Sequence, residues 1–118
     1  MRFLCMVQTD ENPPWEIPGA LYEAMAAYDQ EGRLNGTLVE SRGLLPSAAG
    51  AIVSAADGRV KAIDGPFAEA KELVGGYAVV DVRSREEAVE LGRRLVQLHL
   101  EHIPEWRGTV EIRQIADF

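Results

Sequence analysis

Cysteine occurs once, as Cys5, histidine only as His99 and His102, and no run approaches the roughly 18 apolar residues that a membrane-crossing helix needs. A single thiol cannot staple the chain to itself, so a disulfide scaffold within one chain is excluded. Basic residues are in deficit, 12 Lys and Arg against 19 Asp and Glu, for a formal charge of −7. Arg83, Arg85 and the pair Arg93-Arg94 are offset by Glu86, Glu87 and Glu90, leaving no basic patch for a phosphate backbone, and no nucleic-acid partner is expected. The start of the chain lacks the basic segment and long apolar core of a secretory signal, so the cytoplasm is the expected location, with no membrane partner. There is no glycine-rich loop ending in Lys-Ser/Thr and no dinucleotide fingerprint, and no cofactor is expected. Ser41, Ser47 and Ser54 have no His and acid partners in order or spacing, which leaves triad hydrolysis unsupported.

What is present suits one small domain. The 118 residues have an apolar fraction of 47%, enough for a core, and Gly and Pro fall in short turn-like clusters, so residues 1–118 are expected to form a single domain. Arg2 to Gln8 is an apolar run of strand length, with Cys5 a buried small hydrophobe. A helix is expected from Pro18, with Leu21, Ala24, Met25 and Tyr28 along one side and Gly32 as its stop. Thr37 to Ser41 reads as a short strand. Ala51 to Ser54 and Arg59 to Ile63, joined through Asp57-Gly58, read as a hairpin toward a sheet edge, because both central residues tolerate positive φ. Val74 to Val82 is a long strand in which Gly75-Gly76 permits a bulge. Ser84 and Glu87 form a capping box before a helix with Ala88, Leu91, Leu95 and Leu98 in a stripe and Glu90 paired to Arg94. Thr109 to Ile115 alternates as a final strand.

That order predicts an α+β fold, a ferredoxin-like plait whose antiparallel sheet carries both helices on one face. The other face is left open. Since Phe3 to Val7 and Tyr77 to Val82 are apolar on both sides, a homodimer that stacks two sheets is expected, with Met6 and Val80 sensitive to charge; the alternative is a monomer in which Leu34 to Pro46 folds over the sheet.

Chemistry concentrates in Asp64-Gly65-Pro66-Phe67-Ala68-Glu69-Ala70-Lys71-Glu72. Asp64 is expected to accept from the backbone N–H groups just after it, Gly65-Pro66 to force a turn, and Phe67 to dock in the core. Two carboxylates and an ammonium beside a rigid turn suit either a solvated loop or a pocket wall. The candidate ligand contacts are Asp64, Glu69, Lys71, Glu72 and Tyr77, with Asp64 also the candidate catalytic residue. His99 and His102, near a helix end, lack a third well-spaced ligand, so no metal is expected; both are read as exposed side chains favoured by the helix dipole. Trp15 and Trp106 lie beside prolines and would cover core edges or a cleft mouth.

At Asp64 to Glu72, then Gly75-Gly76-Tyr77 and Gly108-Thr109-Val110-Glu111-Ile112-Arg113, the chain resembles the YCII-related family, in the branch named for its DGPF motif, over nearly its whole length. The resemblance implies a dimeric α+β barrel of ferredoxin-like units, similar in architecture to small dimeric monooxygenases and muconolactone isomerases, without a settled activity. The His-Asp pair of the YCII type has no histidine to match before His99, and only Asp64 corresponds. Three functions follow as expectations. The first is binding of a small polar metabolite near the Asp64 to Glu72 loop, with weak turnover in reserve. The second is a non-catalytic regulatory or protein-interaction module, in keeping with the branch's association with extracytoplasmic-function sigma factors. The third is a cofactor-independent oxygenase or isomerase.

Overall fold

The computed structural model describes residues 1–67 and 72–117. In chain order the elements are β1 (Arg2–Thr9), α1 (Gly19–Leu34), β2 (Leu38–Gly43), a 3-10 turn (Ser47–Ala49), β3 (Ala51–Ala56), β4 (Arg59–Asp64), β5 (Leu73–Asp81), α2 (Arg85–His102) and β6 (Gly108–Gln114). The apolar run of β1 becomes the centre of a four-stranded antiparallel sheet ordered β2-β5-β1-β6. With the β3–β4 hairpin set aside, this is the strand order of a ferredoxin-like plait, and the α+β class expected from the sequence is the one observed.

Alternation sorts the sheet into two faces. Toward the helices, Phe3 lies opposite Val80, Cys5 opposite both Ala78 and Ile112, and Val7 opposite Gly76 and Val110. Phe3, Cys5, Val80 and Val82 pack with Ala88 of α2 into the main core. Val80 therefore belongs to the core rather than to the open face, and of the two positions expected to meet a partner only Met6 lies there. The open face carries Leu4, Met6, Tyr77 and Val79 at its centre, all half-buried, with Arg2, Asp81, Glu40, Arg42, Glu111 and Arg113 around them. Leu34 to Pro46 does not fold over the sheet, because β2 within it pairs as an edge strand with β5.

Helix α2 starts as its sequence requires. The Ser84 hydroxyl accepts from the Glu87 N–H at 3.2 Å, while the Glu87 carboxylate accepts from Arg83 N–H at 2.9 Å, one residue earlier than a closed capping box would place it. Gly92 lets this helix sit close on the sheet, since a Cβ there would come within 2.8 Å of Ile112 Cδ1. The expected Glu90–Arg94 pair is replaced by two others, Glu90 with Arg93 at 3.4 Å and Glu31 of α1 with Arg94 at 3.6 Å. Helix α1 overruns Gly32, which faces Leu38 closely, and the left-handed turn falls instead at Gly36, φ 82°. Gly75 is the extra residue of the bulge between β1 and β5, as the glycine pair predicted.

The β3–β4 hairpin turns at Asp57 and Gly58, with φ of 53° and 73°, the positive values its Asp-Gly turn requires. It is not an edge of the main sheet. It forms its own two-stranded sheet with every residue exposed. The chain accordingly has a radius of gyration of 15.9 Å, against about 13.5 Å for a compact chain of this length.

Candidate ligand-binding cleft

Rows of paired residues across the helix-facing side of the sheet shrink steadily in size. Leu38, Val80 and Phe3 form one row, Ser41, Ala78 and Cys5 the next, and Gly43, Gly76 and Val7 the third. The first row fills the space beneath the helices. The small residues of the other two cannot, and a Cβ on Gly43 would meet nothing within 4 Å. The result is a cleft of about 1070 Å³ between this floor, helix α1 and the segment from Leu44 to Ala51, reaching α2 at Leu95 and His99 and lined also by Trp15, Ile103, Trp106 and Phe67. A volume of this order is in the range of cavities that take small molecules.

One serine joins three segments of the cleft lining. The Glu11 carboxylate accepts from Ser47 N–H at 2.9 Å and from the Ser47 hydroxyl at 2.7 Å, and that hydroxyl oxygen accepts from Phe67 N–H at 3.0 Å. Gly65 N–H donates to Gly50 O at 2.9 Å, and a Cβ on Gly65 would fall on the Ser47 carbonyl oxygen, so only glycine permits this approach. The turn after Asp64 is thus fastened by Ser47 and Glu11, not by the Asp64 carboxylate, which makes no hydrogen bond among the described residues. Ser47 and Glu11 were missed because the contacting segments lie 36 and 20 residues apart, with no local pattern to join them.

Of the expected contacts, Asp64 is exposed at the end of β4 and is not among the residues lining the cleft, and Glu72 is exposed just before β5. Glu69 and Lys71 lie outside the described residues. Tyr77 borders the cleft, although alternation directs its ring to the open face beside Met6 and Val79. Phe67, expected to dock in the core, is half-buried in the cleft wall and belongs to neither core cluster.

The interior is largely apolar, with few convergent polar groups. Tyr28 donates from its hydroxyl to Leu91 O at 2.8 Å; burial pushes this phenol up, and Arg94, 5.2 Å over its ring, partly offsets the shift. Burial likewise pushes the Cys5 thiol up, which keeps it protonated and unreactive. His99, expected at the surface, is buried. It is 6% exposed, its ring lies 4.7 Å from that of Trp106, and its Nδ1 is 2.8 Å from Leu95 O; the half-buried His102 bonds Leu98 O in the same way at 2.9 Å. Trp106 supplies the apolar shelf that draws His99 inward from the end of α2. Among the described residues no three His, Cys, Asp or Glu side chains are grouped to hold a metal ion, and no helix is long and apolar enough to cross a membrane.

The family model of the YCII-related domain matches residues 1–118. The chain belongs to the YCII-related family. No curated protein matches it. In this YCII-related chain the cleft is built from both helices, three of the four main-sheet strands and the 44–51 segment, so residues distant in sequence line one wall.

Proposed function

We propose that this YCII-related chain, of the DGPF-motif branch by its Asp64-Gly65-Pro66-Phe67 run, acts as a single domain that binds a small metabolite in the cleft above Ser41, Gly43, Gly76 and Ala78. The observation that carries the reading is the descending size of those rows, which leaves an open volume over a rigid sheet where packing would otherwise continue. The mostly apolar walls favour a ligand with an apolar body and a few polar groups over the small polar metabolite expected at the Asp64 to Glu72 loop. Asp64 and Glu72, exposed and outside the lining, are then candidates for contact beyond the floor, and Glu69 and Lys71 stay candidate ligand contacts. A thermal-shift screen over small organic acids, phenols and lactones, with hits checked by calorimetry, tests this, since a ligand that binds only the native state raises its stability. Ala78→Phe should abolish binding while the melting temperature stays within a few degrees of the parent. Undiminished binding in that variant would remove the cleft from consideration.

We further propose that two copies pair through the open sheet face. Its centre of Leu4, Met6, Tyr77 and Val79 is apolar and its border carries both charge signs, so the patch can meet itself about a two-fold axis. Light scattering should give twice the 13.0 kDa chain mass, and Met6→Glu should return it to one chain; a parent already at one chain mass would reject the pairing. A regulatory or protein-interaction role has its own support in the β3–β4 hairpin. There Val53 and Val60, 70% and 79% exposed, share an apolar face with Ala55 and Ala62.

A further inference from the structure

Resting on the cleft as the ligand site, we propose that His99 is its polar anchor, accepting through Nε2 a hydrogen bond from an O–H or N–H group on a small, otherwise apolar ligand such as a phenol, enol or azole. The proton positions follow from chemistry. Leu95 O can only accept, so the Nδ1 that lies 2.8 Å from it carries the hydrogen, and in the neutral ring Nε2 is left with its lone pair. That nitrogen has no partner among the described residues, yet none of their buried side-chain nitrogens or oxygens is sealed without one. Among these residues Nε2 is thus neither bonded nor sealed, and because His99 lines the cleft while only 6% exposed, we infer that Nε2 faces it.

Packing makes the acceptor rigid. The ring is fixed on one side by Trp106, at 4.7 Å and 36°, and by the helix carbonyl at the other nitrogen, so it cannot turn to meet a ligand that presents an acceptor. Trp106 belongs to an apolar cluster with Leu21 and Ile103, against which Trp15 and Met25 pack. A bare lone pair in such walls discriminates between ligands of one shape by the presence of a donor, since a ligand without one leaves Nε2 desolvated and unpaired.

Two fluorinated probes of nearly equal shape, 4-fluorophenol and fluorobenzene, separate this anchor from the cleft itself. With the full chain, ¹⁹F NMR titration should show the phenol binding about three- to tenfold more tightly than fluorobenzene, the margin of one net hydrogen bond. In His99→Phe, which keeps an aromatic ring against Trp106, the two probes should bind alike. Should that variant fail to fold, ¹⁵N spectra of the unmutated histidine rings decide the matter. His99 should show a protonated Nδ1 and an unprotonated Nε2, and the Nε2 signal should move on adding 4-fluorophenol and stay still with fluorobenzene. Equal affinities in the parent, a protonated Nε2, or an Nε2 signal unmoved by bound phenol would overturn the anchor and leave the cleft standing. Failure of both probes to bind would count against the cleft and the anchor together.

Discussion

Strand β5 and the β3–β4 hairpin have the same alternating backbone and are rich in the same small apolar residues, yet one is the heart of the molecule and the other has every residue exposed. The difference is what lies above them. β5 sits between β1 and β2 under two helices, so each apolar side chain on its inner face adds to a shared core. The hairpin has a complete ladder from Ala51–Asp64 to Ala56–Arg59, extended at its base by Gly65 N–H to Gly50 O, and no core of its own; just beyond that base Ser47 bonds Glu11 and Phe67. Hydrogen bonds define a strand, but burial stabilises it, and a lone two-stranded hairpin is marginal in water.

The contrast is sharpest at Phe3, 1% exposed in the main core with Val80, Val82 and Ala88. Phe3→Ala should cost about 3–5 kcal/mol in urea unfolding, enough to bring a domain of ordinary stability close to unfolding. A loss below 1 kcal/mol would mean that the core is not centred on this ring. Next in size is the α2 cap, where Ser84→Ala should remove about 0.5–2 kcal/mol without altering ligand affinity. The smallest effect belongs to the hairpin: Val53→Thr should shift stability by no more than about 0.5 kcal/mol. A larger loss, or a change in the mass seen by light scattering, would break the comparison by showing that the hairpin is packed against a second molecule.

The main elements were legible because each rests on neighbours in sequence. Ser84 and Glu87 mark the start of α2, Asp57-Gly58 the hairpin, and Gly75-Gly76 the bulge, all within a few residues. The end of α1 was misplaced because Gly32 serves a tertiary contact with Leu38 rather than a cap. The cleft was hidden for a deeper reason. Ser41, Ala78 and Cys5 become one row only through strand register across three strands, and the inward turn of His99 depends on Trp106, beyond the helix that carries it. The charged loop drew attention because its residues are consecutive, whereas the described cleft walls come from segments spread along the chain.

The three bonds at Ser47 bear on how the cleft wall is held. They join Glu11, Ser47 and Phe67 along one wall; the 20-residue span from Ser47 to Phe67 is already closed by the hairpin ladder, whereas the 36-residue span from Glu11 to Ser47 runs through α1 and β2. Part-buried hydrogen bonds outside the two core clusters are of the kind that open by local fluctuation at less cost than the core itself. Deuterium uptake at the Phe67 amide, set against uptake at the amides of β1 and β5, measures how far the stability of this wall is separate from that of the fold.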